Sequence, residues 1–299
     1  MMKTLENCNL CPRNCGVNRL NGKLGFCGAG KAIKLARVSL HNYEEPCISG
    51  QNGSGTVFFS NCSLRCVFCQ NHQISQEGFG TEVTIQRLAE VFLELQNKNA
   101  HNINLVTPTH YVPQIISALK LGKKSGLTLP IIYNSSGYEN VETIKMLKGH
   151  IDVYVPDLKY YSNKYSVKYS NVKDYFFYAK DAIKEMFSQV GNAKFDDAGL
   201  ITRGVIIRHL MLPGLLFDSK KIIDYIMNAY GNKVFISIMN QYTPMFKTSD
   251  YPEINKTLNR DHYNALIDYA LVKGITNGFI QDDGTSSKEF IPDFDLRGI

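Results

Sequence analysis

Residues 61–71 read Asn-Cys-Ser-Leu-Arg-Cys-Val-Phe-Cys-Gln-Asn and set Cys62, Cys66 and Cys69 at C-x3-C-x2-C spacing, with the aromatic Phe68 directly before the last thiol. Three thiolates this close can ligate three irons of a [4Fe–4S] cube and leave the fourth iron without a protein ligand. An open coordination position is what a catalytic metal centre requires. The run Thr-Val-Phe-Phe-Ser at 56–60 precedes the loop and reads as a buried strand. A strand that empties into a ligand-bearing loop is how a β/α barrel sets chemistry at its C-terminal rim. A zinc knuckle or buried structural cysteines are the alternatives. Zinc takes four ligands as a rule, and no fourth Cys or His follows at finger spacing, His72 being a weak candidate.

All eight cysteines (8, 11, 15, 27, 47, 62, 66 and 69) lie in the first quarter of the 299 residues. A disulfide framework would spread its staples through the fold, and this chain is far larger than the small domains that depend on them. Clustering of this kind points to metal, and exposed iron–sulfur clusters call for a reducing or anaerobic setting. The net charge of +6 is spread along the chain, with no compact basic run interleaved with aromatics, so nucleic-acid binding is not expected. No apolar run approaches the roughly 18–20 residues that cross a bilayer. The first residues lack the apolar core of a signal peptide. A cytoplasmic location without membrane contact is expected.

Residues 8–27 hold Cys8, Cys11, Cys15 and Cys27 at C-x2-C-x3-C-x11-C, among Pro12, Gly16, Gly22 and Gly25. Such a turn-rich segment has little core of its own and needs a metal to hold it. Four thiolates suit tetrahedral zinc or a fully ligated iron–sulfur cluster. A Cys-rich lobe over 1–50 with a second metal centre is the expectation. Cys47 has no obvious partner and reads as a small buried hydrophobe.

Residues 32–40 alternate apolar and polar side chains as a half-exposed strand would. From residue 55 the pattern is strand, loop, helix, repeated. Strands are predicted at 56–60, 103–106, 130–133, 153–155, 204–209 and 234–239. Helices are predicted at 84–97 with Thr84 as N-cap, after Pro113, at 140–148, at 174–190, after Asp218 as cap, and at 260–272. Six strands alternating with helices imply a right-handed parallel sheet. The fold class is α/β, a partial (β/α)6 TIM-type barrel over 51–281, with a polar, aperiodic tail over 282–299.

In such a fold the strand C-termini carry the polar residues that act. They do here: Thr107-Pro108-Thr109-His110, Asn134-Ser135-Ser136-Gly137, Asp157-Leu158-Lys159, Arg208-His209 with Pro213-Gly214 beyond, and Asn240-Gln241-Tyr242. Together with C-x3-C-x2-C these motifs resemble the radical S-adenosylmethionine (SAM) superfamily, and within it the pyruvate formate-lyase activating enzyme and its relatives. Cys-x-Leu-Cys-Pro-Arg near the start, Cys-Gln-Asn, Thr-Pro-Thr-His and Arg-His-Leu-x-Leu-Pro-Gly are similar to the branch of PflX-like iron–sulfur proteins. Two departures stand out. Thr107–His110 replaces the Gly-Gly-Glu usual after strand two, and Asn134–Gly137 replaces an Asp-Thr-Asn-Gly-like turn.

The resemblance implies an oxidoreductase that cleaves SAM reductively to a 5′-deoxyadenosyl radical, which abstracts hydrogen from a substrate. It implies a [4Fe–4S] cluster on Cys62, Cys66 and Cys69, and SAM held by Asp157, Lys159 and Arg208. Phe68, Thr107, Thr109, His110, Asn134, Ser135 and Gln241 join as cofactor-binding candidates, His110 also as a proton donor. A reductant such as ferredoxin or flavodoxin is implied as partner. The substrate is a glycyl-radical enzyme, another peptide or protein, or a small molecule; a non-catalytic iron–sulfur electron carrier is the reading from a different class.

Overall fold

The computed structural model describes residues 2–281 and 292–299. In chain order the barrel elements begin with strand β1 (Ile33–His41), the single turn α1 (Pro46–Ser49) and β2 (Ser54–Phe59). After the cysteine loop come α2 (His72–Ser75), β3 (Thr81–Val83), α3 (Ile85–Asn97), β4 (Ile103–Val106), α4 (Val112–Lys124), β5 (Ile131–Ser135), α5 (Val141–Met146) and β6 (Val153–Pro156). The second half carries α6 (Asn163–Ser170), α7 (Tyr175–Val190), β7 (Lys194–Phe195), β8 (Ile201–Leu210), α8 (Leu216–Tyr230), β9 (Phe235–Met239), α9 (Arg260–Val272) and β10 (Gly278–Ile280). The sheet runs β10-β9-β8-β6-β5-β4-β2-β1-β3, parallel from β2 to β10.

All six expected strands are present, and β10 adds a seventh parallel one. Its core, Gly278-Phe279-Ile280, is too short to show a period. β1 pairs antiparallel with β2 from Leu35↔Phe59 to His41↔Ser54. Residues 33–41 therefore belong to the barrel sheet, and Cys8, Cys11, Cys15 and Cys27 lie in the segment ahead of β1. Of the tail expected over 282–299, only 292–299 lies within the described residues. There Leu296 N–H donates to Ala36 O (3.1 Å), Arg297 O accepts from Val38 N–H (2.8 Å), and Phe294 stands edge-on to Phe58 at 5.6 Å. Among the described residues no helix is long and apolar enough to cross a membrane.

Side chains alternate across each strand, which divides the core. One face packs under the helices: Val57, Ile103, Leu105, Ile131, Tyr133, Tyr154, Val205 and Ile207 join Leu88, Phe92, Ile115 and Ile183. The other face looks inward, where Ile132, Val153, Val155 and Ile206 enclose Cys47 and Ile48 of α1. Gly50, just after α1, lies against His101 and Leu200, which precede β4 and β8. The segment 44–50 thus enters the barrel from the N-terminal ends of the strands and forms its floor. Cys47 is 6% exposed there, a small buried hydrophobe as expected.

Helix α3 starts as expected, with Thr84 Oγ1 accepting from Arg87 N–H at 3.0 Å. Asp218 does not cap its own helix, which already begins at Leu216. Its carboxylate reaches across and accepts from Tyr161 N–H and Ser162 N–H, both at 2.9 Å, at the start of α6. The far end of α6 holds the cysteine loop: Arg65 N–H donates to Ser170 O (3.1 Å) and Val67 N–H to Tyr169 O (2.9 Å). Asp218→Ala leaves two amide donors without their acceptor, at a cost of about 1–2 kcal/mol. Chemical denaturation is expected to show that loss. Faster hydrogen exchange at residues 161–170 is expected with it, and unchanged exchange there would remove the link to the loop.

Candidate active site

The strand C-termini and the cysteine loop surround one cavity of about 490 Å³. Its wall includes Phe58 and Phe59 of β2, Val106 at the end of β4 and Thr107 after it, Asn134 and Ser135 of β5, Asp157 and Lys159 after β6, Arg208 and Leu210 of β8, and Met239 of β9. That strands as far apart in the order as β2 and β9 line one space shows that the sheet curls into an open barrel. Cys62, Cys66 and Cys69 form one side, with Phe68 packed on Tyr242 at 5.8 Å between ring centroids.

The thiols are tied into the loop individually. Cys62 Sγ accepts from Leu64 N–H at 3.4 Å, Cys66 Sγ lies 2.9 Å from Ser170 Oγ, and Cys69 Sγ lies 3.2 Å from Ser75 Oγ. Burial raises all three above the ordinary thiol value, Cys66 to about 11, while Lys159 pulls each of them back down. Among the described residues no three Cys, His, Asp or Glu side chains are disposed to close on one metal ion. A tetrahedral zinc at Zn–S of about 2.3 Å needs sulfurs within about 4 Å of one another. A cube takes each sulfur on a different iron and so tolerates wider spacing. Three thiols on one cavity wall with an adjacent ammonium fit an iron–sulfur cluster, which Cys62, Cys66 and Cys69 would hold. His72, the zinc alternative, instead bonds Glu77 Oε1 at 2.7 Å and stacks on Phe246 at 4.4 Å.

Lys159 is the cation at this wall. Its Nζ donates to Asp157 Oδ2 at 2.5 Å. Burial pulls its pKa down, but Asp157 and Cys66 outweigh that and hold it above the ordinary lysine value. Arg208 also lines the cavity, but it turns to the floor. Its Nε donates to Glu45 Oε1 at 2.8 Å and its Nη2 to both Glu44 and Glu45. Asn104 Nδ2 adds a bond to Glu44 Oε1 at 2.8 Å. Although burial pushes Glu45 up, the guanidinium keeps it below the usual carboxylate range. Arg208, expected to help hold SAM, is already held by two carboxylates. Neither glutamate was singled out as functional in the sequence. A Glu-Glu-Pro step has no periodicity, and only the fold carries it beneath a strand-end arginine.

Thr107, in place of a glycine, sits in the left-handed region at φ 58°, uncommon for a β-branched residue, with its amide bonded to Asn134 O at 2.9 Å. Gln241 lines the cavity as expected, its carbonyl accepting from Gln70 Nε2 at 3.1 Å. Thr109 and His110 do not reach the cavity, and their assignment as cofactor contacts is corrected. Thr109 Oγ1 donates to the buried Glu139 Oε1 at 2.6 Å, and burial lifts that carboxyl to about 7. His110 is 2% exposed, with Nε2 2.8 Å from Ser60 O. Burial, helped by Arg19, pushes its pKa down to about 3, so near neutrality it is a neutral imidazole rather than a general acid.

His209 is buried likewise between Leu158 O and Ser219 Oγ, both at 2.8 Å, and its pKa falls to about 4. For both groups the folded value lies below the ordinary 6.5. The unfolded chain therefore takes up protons first, and stability present above pH 6.5 is lost as pH falls toward 3–4. At about 1.4 kcal/mol per unit, each should cost about 2 kcal/mol at pH 5. Urea denaturation at pH 7 and 5 is expected to show the drop, and His110→Gln to remove its share; a flat profile in the parent chain would contradict it.

The profile of the Radical SAM superfamily matches residues 56–226. An uncharacterized protein of Methanocaldococcus jannaschii, MJ0674, is 32% identical over 275 residues, covering 89% of this chain and 74% of that protein. SuiB of Streptococcus suis bound to S-adenosylmethionine superposes with a TM-score of 0.51 at 13% identity, over 75% of this chain and 49% of that one. The FeFe-hydrogenase maturase HydG from Carboxydothermus hydrogenoformans gives 0.50 at 13%, over 78% and 59%. The chain anSMEcpe with bound AdoMet gives 0.51 at 11%, over 74% and 61%. This chain thus spans about half to three-fifths of those solved structures, and at such identities the likeness is one of fold. With the family profile covering more than half of its length, this protein belongs to the Radical SAM superfamily, and membership implies a [4Fe–4S] cluster and SAM.

Proposed function

We propose that this protein is a radical SAM enzyme of the PflX-like branch, whose cavity takes SAM against Cys62, Cys66 and Cys69 and a substrate beyond it. Bound there, the cluster and SAM supply a 5′-deoxyadenosyl radical that abstracts hydrogen. The observation that carries the reading is the meeting of three thiols and the Lys159–Asp157 pair on one cavity at the strand C-termini. The protein's own part is to hold, orient and exclude water.

Each residue has a share. Cys62, Cys66 and Cys69 would hold the cluster, and the aromatic pair Phe68 and Tyr242 shields it from solvent. Lys159 offers its ammonium to the SAM carboxylate, with Asp157 fixing where the ammonium points. Asn134 and Ser135 offer amide and hydroxyl groups to the ribose, and Thr107 and Gln241 polar groups at the rim. A low-potential one-electron donor of the ferredoxin or flavodoxin class supplies the electron.

The substrate is proposed to be a peptide or small molecule. Activation of a glycyl-radical enzyme is the second reading, favoured by the match of Asp157-x-Lys159 and Arg208 with Pro213-Gly214 to activating enzymes. The absence of Gly-Gly-Glu after β4 favours the first.

A charge-assisted contact contributes roughly 1.5–3 kcal/mol, so Lys159→Ala is expected to weaken SAM binding about ten-fold or more, with the iron content unchanged. Arg208→Met acts differently. It strands two buried carboxylates and is expected to cost about 3–5 kcal/mol of stability before it touches SAM affinity. Equilibrium binding of SAM and dithionite-driven release of 5′-deoxyadenosine decide between these roles. Normal SAM affinity in Lys159→Ala would place the carboxylate elsewhere, and a parent protein that keeps its cluster but never cleaves SAM would point to an electron carrier.

A further inference from the structure

The cations that line the barrel cavity have acids against them, Arg208 with Glu44 and Glu45, Lys159 with Asp157. Two arginines in the segment ahead of β1 do not, Arg19 being buried and Arg13 half-buried. Arg19 is 1% exposed. Its Nε and Nη2 donate to Gly30 O at 3.0 and 2.6 Å, and its Nη1 to His110 O at 2.6 Å and toward Cys8 Sγ at 3.8 Å. Arg13 donates to Ser63 O at 3.0 Å and Asn171 O at 2.6 Å, and its guanidinium lies 3.6 Å from the Phe26 ring centroid. Among the described residues no carboxylate pairs with either arginine. Neutral carbonyls satisfy the N–H donors of a buried guanidinium but not its charge, and an unbalanced charge out of water is costly.

What surrounds these arginines is sulfur. Cys8, Cys11 and Cys27 are buried and Cys15 is exposed, none in a disulfide. Cys11 lies within electrostatic reach of Cys8 and Cys27, Cys27 within reach of Cys8 and Cys15, and Cys15 Sγ is 3.7 Å from Cys8 O. Arg13 is within reach of both Cys11 and the loop's Cys62. Ala29 N–H points at Cys27 Sγ (3.5 Å), a donor to sulfur of the kind found around clusters. Gly25 has no room for a side chain, since a Cβ there would meet Cys15 Sγ at 2.5 Å. The apolar cluster of the segment is small, Leu5, Cys8 and Leu10 with Val17, Leu20 and Met146 beside them.

We propose that Cys8, Cys11, Cys15 and Cys27 hold a second iron–sulfur centre, and that its thiolate-borne negative charge is the counter-ion of Arg19 and Arg13. Four thiolates on a metal centre carry the anion that both arginines lack. Among the described residues no three such side chains are gathered as ligands of a single ion, and a cube spreads its ligands over four irons. The centre sits against the catalytic loop, joined to it through Arg13 on Ser63 and Arg65 on Phe26 O at 2.8 Å.

The test uses the full chain with Cys62, Cys66 and Cys69 all changed to Ala, reconstituted anaerobically with iron and sulfide. About four irons and four sulfides per chain are expected to remain, with a reduced-state EPR signal that SAM does not alter. A chain that keeps no iron, or takes zinc instead, overturns the proposal. In the same background Arg19→Met is expected to shift the midpoint potential of the centre downward, because lost positive charge disfavours the added electron, while Arg19→Lys holds it near the parent value. Equal potentials in all three would overturn the counter-ion role. None of these readouts depends on SAM cleavage, so failure of the catalytic reading and failure of this one remain distinguishable.

Discussion

The catalytic loop is a stretch of irregular backbone that must keep three thiols on one wall, and its hold comes from the C-terminal end of α6. The last carbonyls of a helix have no partners within it, and here Tyr169 O and Ser170 O take the amides of Val67 and Arg65. The same turn supplies Ser170 Oγ, which lies 2.9 Å from Cys66 Sγ and 2.7 Å from Tyr160 Oη. On the other side, Gln76 Nε2 donates to Cys66 O (2.8 Å) and Lys247 N–H to Val67 O (3.0 Å). The loop is therefore clamped by its own backbone groups. Its three thiols stay on the cavity wall.

The floor is set by charge where the loop is set by hydrogen bonds. Strand β8 delivers Arg208 to the barrel interior, and α1, entering from below, brings Glu44 and Glu45 to it. Removing one partner of such a group leaves uncompensated charge away from water, so β8, β4 through Asn104, and the segment after β1 are locked together. This explains why β1 belongs to the barrel although it runs antiparallel to it. Its last residue, His41, is where the chain turns inward to become the floor.

Much of the architecture was legible in the sequence, because strands buried on both faces and helices with one apolar stripe leave different periods. The six central strands and the helices between them follow from that. What stayed hidden had no period to show. β10 is three residues long, α6 is a polar helix of eight residues whose buried face is Ser166, Tyr169 and Ser170, and Asp218 serves a helix 56 residues earlier in the chain. At the site, the cysteines stand out by their spacing, and Asp157 and Lys159 by their place at the end of a predicted strand. Thr109 and His110 could not be separated from Thr107, since a single turn after a strand decides which of three adjacent polar residues faces the cavity and which turn under it.

Charge in the cavity then limits what it can hold. Asp157 and Lys159 cancel, while Glu44 and Glu45 against Arg208 leave one negative charge at the floor. SAM carries a sulfonium, an ammonium and a carboxylate, one net positive charge, and so complements this lining without any side chain changing its ionisation. The Lys159 end, which reaches the thiols electrostatically, suits the carboxylate. A ligand of net negative charge would meet the floor's surplus with no free cation beyond it among the described residues, since the Arg208 donors are already engaged. In the proposed reading, the unpaired charge at the floor therefore favours a cationic cofactor and a substrate that is neutral or positive where it approaches Glu44.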